Sequence, residues 1–275
     1  MPFQTPLRVS VSTWALHSLI GKTYPGRPGE SSADFIPPKE GTLDLLEVPA
    51  ALAQRGIRTM ELCHFHLPPD DLAYHEQFKA ALESAGVELW NFLIDDGDIA
   101  HPDNGKRDTA WVLQWMDVAA SLGARCARVI AGKQEPTEEN IRVSSERLVA
   151  LTIDAYLRGL HLMTENWYSI TSRPEHVQQI VGAANGALGL CLDFGNWGGD
   201  TKYADLAAIA SLATSSHSKC NFTNGVPDTE DFQRCLHILR DAQYQGPFTL
   251  VYGEPGDVWG SIETQRHIVA EMLDT

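Results

Sequence analysis

HLMTENW (161–167), followed by LGLCLDFGN (188–196) and ATSSHSKC (213–220), decides the fold. Each is a strand-like run, and each ends in a side chain that binds metals: Glu165, Asp193 and His217. Helix-patterned stretches separate them, RPEHVQQIVGAAN (173–185) and YADLAAIASLA (203–213). This is the repeat of a β/α barrel, whose active sites lie at the C-terminal ends of the strands. One glutamate, one aspartate and one histidine on a common rim make a mixed oxygen and nitrogen shell suited to a divalent metal.

The same alternation extends outward in both directions. RVSVSTW (8–14), IRTMELCHFH (57–66), VELWNFLID (87–95), ARCARVIAG (124–132) and PFTLVYG (247–253) supply five more strand patterns. Each is followed by a helical one, such as LDLLEVPAALAQRG (43–56) or SIETQRHIVAEML (261–273). Parallel strands require crossovers, so eight units predict a closed (β/α)8 barrel, a single α/β domain over 1–275. The length of 275 residues is close to the roughly 250 of one such barrel. No GxGxxG loop follows the first strand, which argues against an open nucleotide-binding sheet. The segment 18–40, rich in Gly, Pro and Ser, is too long for a connector and is expected to be a lid over the barrel mouth.

The net charge of −15 argues against a nucleic-acid partner, which needs a basic footprint. No apolar run reaches the ~18 residues of a membrane span, and the N-terminus does not read as a signal peptide. A cytoplasmic enzyme is expected. The five cysteines are widely spaced with no CxxC pair, so neither a disulfide framework nor a structural zinc is expected. Cys126 and Cys191 read as core thiols, whereas Cys63 and Cys220 lie near strand ends.

Each rim residue has a functional and a structural reading. Glu165 at a strand end needs a partner for its charge, and a metal or an arginine supplies one. Asp193 reads as a ligand rather than a helix cap, because the next helix begins near Tyr203. Asn196 is placed to orient a water or a substrate hydroxyl. Strand alternation puts His217 and Lys219 on one face. Lys219 is a candidate for a substrate oxygen or a developing enolate. His64 and His66 share a face at the end of the second strand and are candidate substrate contacts. Trp14, Trp167 and Trp197 are placed to stack on a sugar ring or to pack the rim. Asp95, Asp96 and Asp98 form an acidic loop that either grips hydroxyls or is a solvated turn.

TENW, LCLDFGN and HSK, with weaker matches at SVSTW, MELCHFH and FLIDDGDI, resemble the xylose isomerase-like barrels, the sugar phosphate isomerase/epimerase and endonuclease IV-like superfamily. The ordered set spans nearly the whole chain. The resemblance implies one divalent metal (Mn, Zn, Mg or Co) held by Glu, Asp, His and Glu from strands five to eight. The first three carry over to Glu165, Asp193 and His217. At the fourth position this chain has Val251, with Glu254 three residues later, so Glu254 is a ligand and a catalytic candidate only if the chain bends at Gly253.

The function the resemblance implies is isomerisation or epimerisation of a small sugar, keto-sugar or cyclitol by proton transfer next to a carbonyl. Glu165 is then the base, with Glu254 as its counterpart. Without a second glutamate, a one-base lyase or dehydratase of keto-sugars or keto-inositols is the alternative, and a non-catalytic binding protein on a degenerate barrel is another. A DNA-repair phosphodiesterase would need more ligands and a basic surface. Neither a membrane nor a nucleic-acid partner is expected, and a homo-oligomer is compatible with the sequence.

Overall fold

The computed structural model describes residues 8–30 and 41–273. Eight parallel strands close into a barrel: β1 (Val9–Ser12), β2 (Thr59–Cys63), β3 (Glu88–Ile94), β4 (Cys126–Val129), β5 (His161–Glu165), β6 (Leu188–Asp193), β7 (Ala213–Lys219) and β8 (Phe248–Val251). A helix of the outer layer follows each strand, besides a single turn at His17–Ile20: α1 (Val48–Gln54), α2 (Leu72–Ala85), α3 (Gly105–Ser121), α4 (Glu138–Leu157), α5 (Pro174–Gly182), α6 (Lys202–Ile209), α7 (Thr229–Asp241) and α8 (Val258–Leu273). The single (β/α)8 architecture read from the sequence is the one observed.

Local chemistry sets the helix ends. Asp71 accepts a hydrogen bond from the Tyr74 amide to start α2, and Gly86 ends it in the left-handed region at φ 62°. Thr137 and Asp228 cap α4 and α7 in the same way. The strands alternate between the helix layer and the barrel interior. Leu62, Phe92, Leu192 and Leu250 pack outward into the continuous apolar core beneath the helices. Inside, Cys126, Met163 and Cys191 pack together against Trp90. Cys126 and Cys191 are therefore core thiols, as their strand patterns imply.

Register aligns the rim. Asp193 pairs with His217, His217 with Thr249, and Lys219 with Val251. Paired residues on neighbouring parallel strands face the same way, so Asp193 and His217 enter the barrel together.

Two local readings change. β2 stops at Cys63, and His64–His66 form a 3-10 turn. After β7 the chain makes a small hairpin, Phe222–Thr223 against Val226–Pro227. Its turn, Asn224-Gly225, has φ of 53° and 79°, the left-handed pair that two-residue hairpins demand.

Candidate metal and substrate site

β5, β6 and β7 deliver their terminal side chains to one point. Glu165, Asp193 and His217 are all buried, with 3%, 5% and 6% of their surface exposed. His217 Nδ1 lies 3.4 Å from Glu165 Oε1 and 3.5 Å from Asp193 Oδ2. Ligand atoms about 2.1 Å from a tetrahedral ion stand about 3.4 Å apart. His217 thus stands at ligand spacing from each carboxylate, and Glu165, Cys191 and His217 offer donor atoms that all lie within 4.8 Å of one another.

The supporting contacts keep those atoms turned inward. Asp193 Oδ1 accepts the backbone amides of Gly195 and Asn196 at 2.6 and 2.8 Å, which leaves Oδ2 toward His217. Asn166 brackets the Asp193 backbone, accepting its amide and donating to its carbonyl. Asn196 Nδ2 donates to Glu165 Oε1 at 2.8 Å. Glu165 Oε2 is buried and accepts no hydrogen bond. Arg128 Nε stands 3.0 Å from it but is not aligned to donate, and that nitrogen is also unsatisfied.

Two residues that the sequence reading missed complete the site. Glu61, fully buried on β2, accepts from Ser215 Oγ at 3.1 Å and meets His217 Nε2 at 2.9 Å. It meets the ring nitrogen opposite the one that faces Glu165 and Asp193. A carboxylate there fixes the imidazole's orientation and tautomer, the usual arrangement behind a metal-binding histidine. Arg128, also fully buried, spans Asp95 and Glu165 and lies over the Trp167 ring at 5.3 Å. Both are single charges inside apolar strand runs, MELC and CARV. Because a lone buried charge is costly, that isolation was the signal that could have found them.

Burial acts against charge on His217, yet the pKa stands well above the ordinary imidazole value. Cys191, Glu165 and Glu61 raise it, as does the hydrogen bond to Asp193. The Cys191 thiol is pushed up to about 12 by burial and is uncharged at neutral pH, so the carboxylates supply the field. With no cation bound, the cluster thus attracts positive charge.

A cavity of about 210 Å³ opens above these groups. That is roughly seven water volumes at about 30 Å³ each, room for a small polyol. Trp14, Trp167, Asn196, Lys219 and Asp95 line it. Cys63, Phe65 and Val251 also form its wall. Just beyond the rim, Tyr168 has φ 64° and ψ 179°, a conformation that costs on the order of 1–3 kcal/mol for a residue with a side chain. Its ring stacks on Trp167 at 4.2 Å, which ties this strained residue to the cavity wall.

Three expectations are corrected. Glu254 is exposed and does not line the cavity; it lies three residues past the end of β8, and Val251 occupies the wall instead. His64 and His66 are buried but face away from the cavity, because the 3-10 turn redirects them. His64 meets the carbonyls of Leu93 and Gly26, while His66 pairs with Thr13 Oγ1 and His17. Burial lowers the pKa of both, and His17 and His64 lower that of His66 further. Cys220 is buried in the main core. Trp197 packs at the rim, donating to Thr171 O at 3.1 Å. Asp96 pairs with Lys133, and Asp98 accepts the amides of Ala100 and Lys133, so both tie the loop after β3 to the loop after β4.

The lid expectation falls partly on residues 31–40, which lie outside the described residues. The described part of that loop fastens to the 64–66 turn. Tyr24 N donates to Phe65 O at 2.7 Å, and Arg27 reaches Asp96 at 3.5 Å. None of its described residues lines the cavity.

Residues 49–268 match the xylose isomerase-like TIM barrel family. The chain belongs to that family. It is 26% identical over 245 residues to a putative hydroxypyruvate isomerase of Streptomyces coelicolor, covering 78% of this chain and 87% of that protein. Among solved structures, an L-ribulose 3-epimerase superposes with a TM-score of 0.73 at 13% identity, over 98% of this chain and 95% of that one. A xylose isomerase-like TIM barrel protein from Mycobacterium smegmatis, solved with magnesium, superposes with a TM-score of 0.68 at 15% identity, over 100% and 99% of the two chains. No helix among the described residues is long and apolar enough to cross a membrane.

Proposed function

We propose that the chain is a divalent-metal-dependent isomerase or epimerase of a small keto-sugar, sugar or cyclitol. The observation that carries this reading is the 3.4–3.5 Å convergence of Glu165 and Asp193 on His217 Nδ1, backed by Glu61 on Nε2. The donor set of two carboxylates and one imidazole fits Mn, Zn, Mg or Co, with water or substrate oxygens completing the shell. When bound, such an ion polarises a carbonyl and acidifies the neighbouring C–H. The family membership and the named activities of the relatives support an isomerase-like enzyme.

The chain's own residues divide the remaining work. Asn196 and Arg128 hold the Glu165 carboxylate in place from two sides. Glu165, whose side chain lines the cavity, takes the substrate proton. Lys219, higher on the same wall, contacts substrate oxygen. Trp14 and Trp167 give the cavity its flat apolar faces.

Val251 bears on the reaction type. Inversion at carbon by two opposed carboxylates needs a second one across the cavity, and β8 presents an apolar side chain there. This favours chemistry with one base: transfer between adjacent carbons on a single face, or elimination of water from a keto-sugar. Incubation with Mn2+ and keto-sugars in D2O, followed by NMR, tests the proposal. Deuterium next to the carbonyl, with an isomeric product, is expected; loss of water identifies the lyase. Absence of exchange with every metal and substrate, while binding persists, would leave a non-catalytic binding protein.

A further inference from the structure

We infer that the substrate carries a carboxylate and that Lys219 reads it. The inference rests on the proposed function, because it names the substrate class of the same site.

The charged groups of the cavity are otherwise committed. Arg128 is held by Asp95 and Glu165, and His217 by Glu61, Glu165 and Asp193. The Lys219 ammonium alone among these cations has no hydrogen bond or ion pair with any described residue. Its neighbour in register on β8 is Val251, so the adjacent strand gives the ammonium no counter-charge. Val251 itself is buried in the same wall.

Packing holds the lysine over the cavity. Its stem crosses Gly195 so closely that a Cβ at 195 would lie 2.7 Å from Lys219 Cδ. The loop after β6 thus leaves a glycine gap through which the side chain passes. Lys219 sits two residues beyond His217 on β7, about 6–7 Å farther up the wall at ~3.3 Å per residue. A ligand that places its carbonyl and hydroxyl oxygens at Glu165, Asp193 and His217 therefore extends its far end toward the ammonium. A partly buried cation without a partner favours an anionic ligand group over a neutral one, because the anion recovers the desolvation cost in a charge-assisted hydrogen bond. A small sugar acid, with its oxo and hydroxyl groups at one end and a carboxylate at the other, meets both halves of the cavity.

The test is calorimetric titration of the Mn2+-supplemented protein with two matched pairs: fructuronate against fructose, and tagaturonate against tagatose. Within each pair, carboxylate replaces hydroxymethyl. The acid is expected to bind about 10- to 100-fold more tightly, the range of one charged hydrogen bond. Lys219→Met should abolish that preference, weakening the acid at least about tenfold more than its neutral partner, and Lys219→Arg should keep part of it. Thermal melts establish that the variants are folded.

A preference that survives in Lys219→Met would mean that other groups read the carboxylate and would overturn the inference. Equal binding of acid and neutral sugar by the unaltered protein would overturn it too. Deuterium exchange separates this from the parent reading. Exchange into neutral keto-sugars without acid preference keeps the isomerase and removes the sugar acid. Acid-selective binding without exchange on any substrate does the reverse.

Discussion

Replacing Glu61 by glutamine probes whether His217 is a metal ligand oriented from behind or only a member of a buried ion-pair cluster. Glu61 Oε2 meets His217 Nε2 at 2.9 Å, and Oε1 accepts from Ser215 at 3.1 Å. The glutamine side chain has the same shape and keeps an oxygen that accepts from Nε2, so the imidazole keeps its orientation. What is lost is the carboxylate charge. A hydrogen bond to a charged group contributes about 1.5–3 kcal/mol and a neutral one about 0.5–1.5 kcal/mol. The difference of roughly 1–1.5 kcal/mol predicts a 5- to 15-fold weaker metal affinity, at the lower end of the 10- to 100-fold seen for such partners. Folding stability without metal should change little, because the substitution also removes a buried charge. The assay is titration with Mn2+ and, independently, the rise in melting temperature with added metal, since a ligand that binds only the native state stabilises it by mass action. Metal binding as tight in Glu61→Gln as in the unaltered protein would show that His217 does not ligate from Nδ1. A large loss of metal-free stability would show that Glu61 serves the fold rather than the site.

Other substitutions separate the remaining roles. Arg128→Met leaves Asp95 and Glu165 buried without their cation and should cost about 3–5 kcal/mol by chemical denaturation, with part recovered on adding Mn2+. Glu254→Gln should leave metal content and turnover unchanged, because its side chain is exposed and outside the cavity; a combined loss of both would restore it as a ligand. Gly195→Ala should displace the flexible Lys219 stem, costing under about 1 kcal/mol in stability but lowering affinity for the acid probes as Lys219→Met does. His64 and His66 have pKa values below those of the unfolded chain, so the unfolded state binds more protons under acid conditions. Their contribution is present above about pH 6.5 and is lost as the pH falls, by up to about 1.4 kcal/mol per pH unit for each. His66→Asn should therefore flatten the decline of stability with acid in urea melts at about pH 5 to 7.

What the sequence disclosed and what it hid follow from different physics. The positions of Glu165, Asp193 and His217 were legible because a β/α unit exposes its last inward residues at the rim, and the strand patterns of β5, β6 and β7 run unbroken to them. Glu61 and Arg128 act one layer deeper, where their meaning depends on which strands are neighbours. Glu61 reaches His217 across the closed barrel, a pairing between residues 156 apart that no local pattern encodes. His64 and His66 were misplaced for a local reason. A period of two puts them inward only while the strand continues, and the turn that ends β2 at Cys63 rotates both rings out of the cavity.

Val251 stands where the sequence resemblance implies a fourth metal-binding glutamate, and it alters the site in two ways. An apolar residue there removes a possible fourth ligand and a possible second base together. It also leaves Lys219, its partner in register, without a neighbouring carboxylate. A glutamate at this position would attract either the metal or the ammonium, and a substrate carboxylate would then meet repulsion. With valine, the cation-binding cluster and the ammonium above it are both left to the ligand. Val251→Glu should therefore tighten Mn2+ binding while weakening fructuronate binding relative to fructose. If both acid and neutral probes respond alike, the wall does not discriminate charge, and Lys219 has some other task.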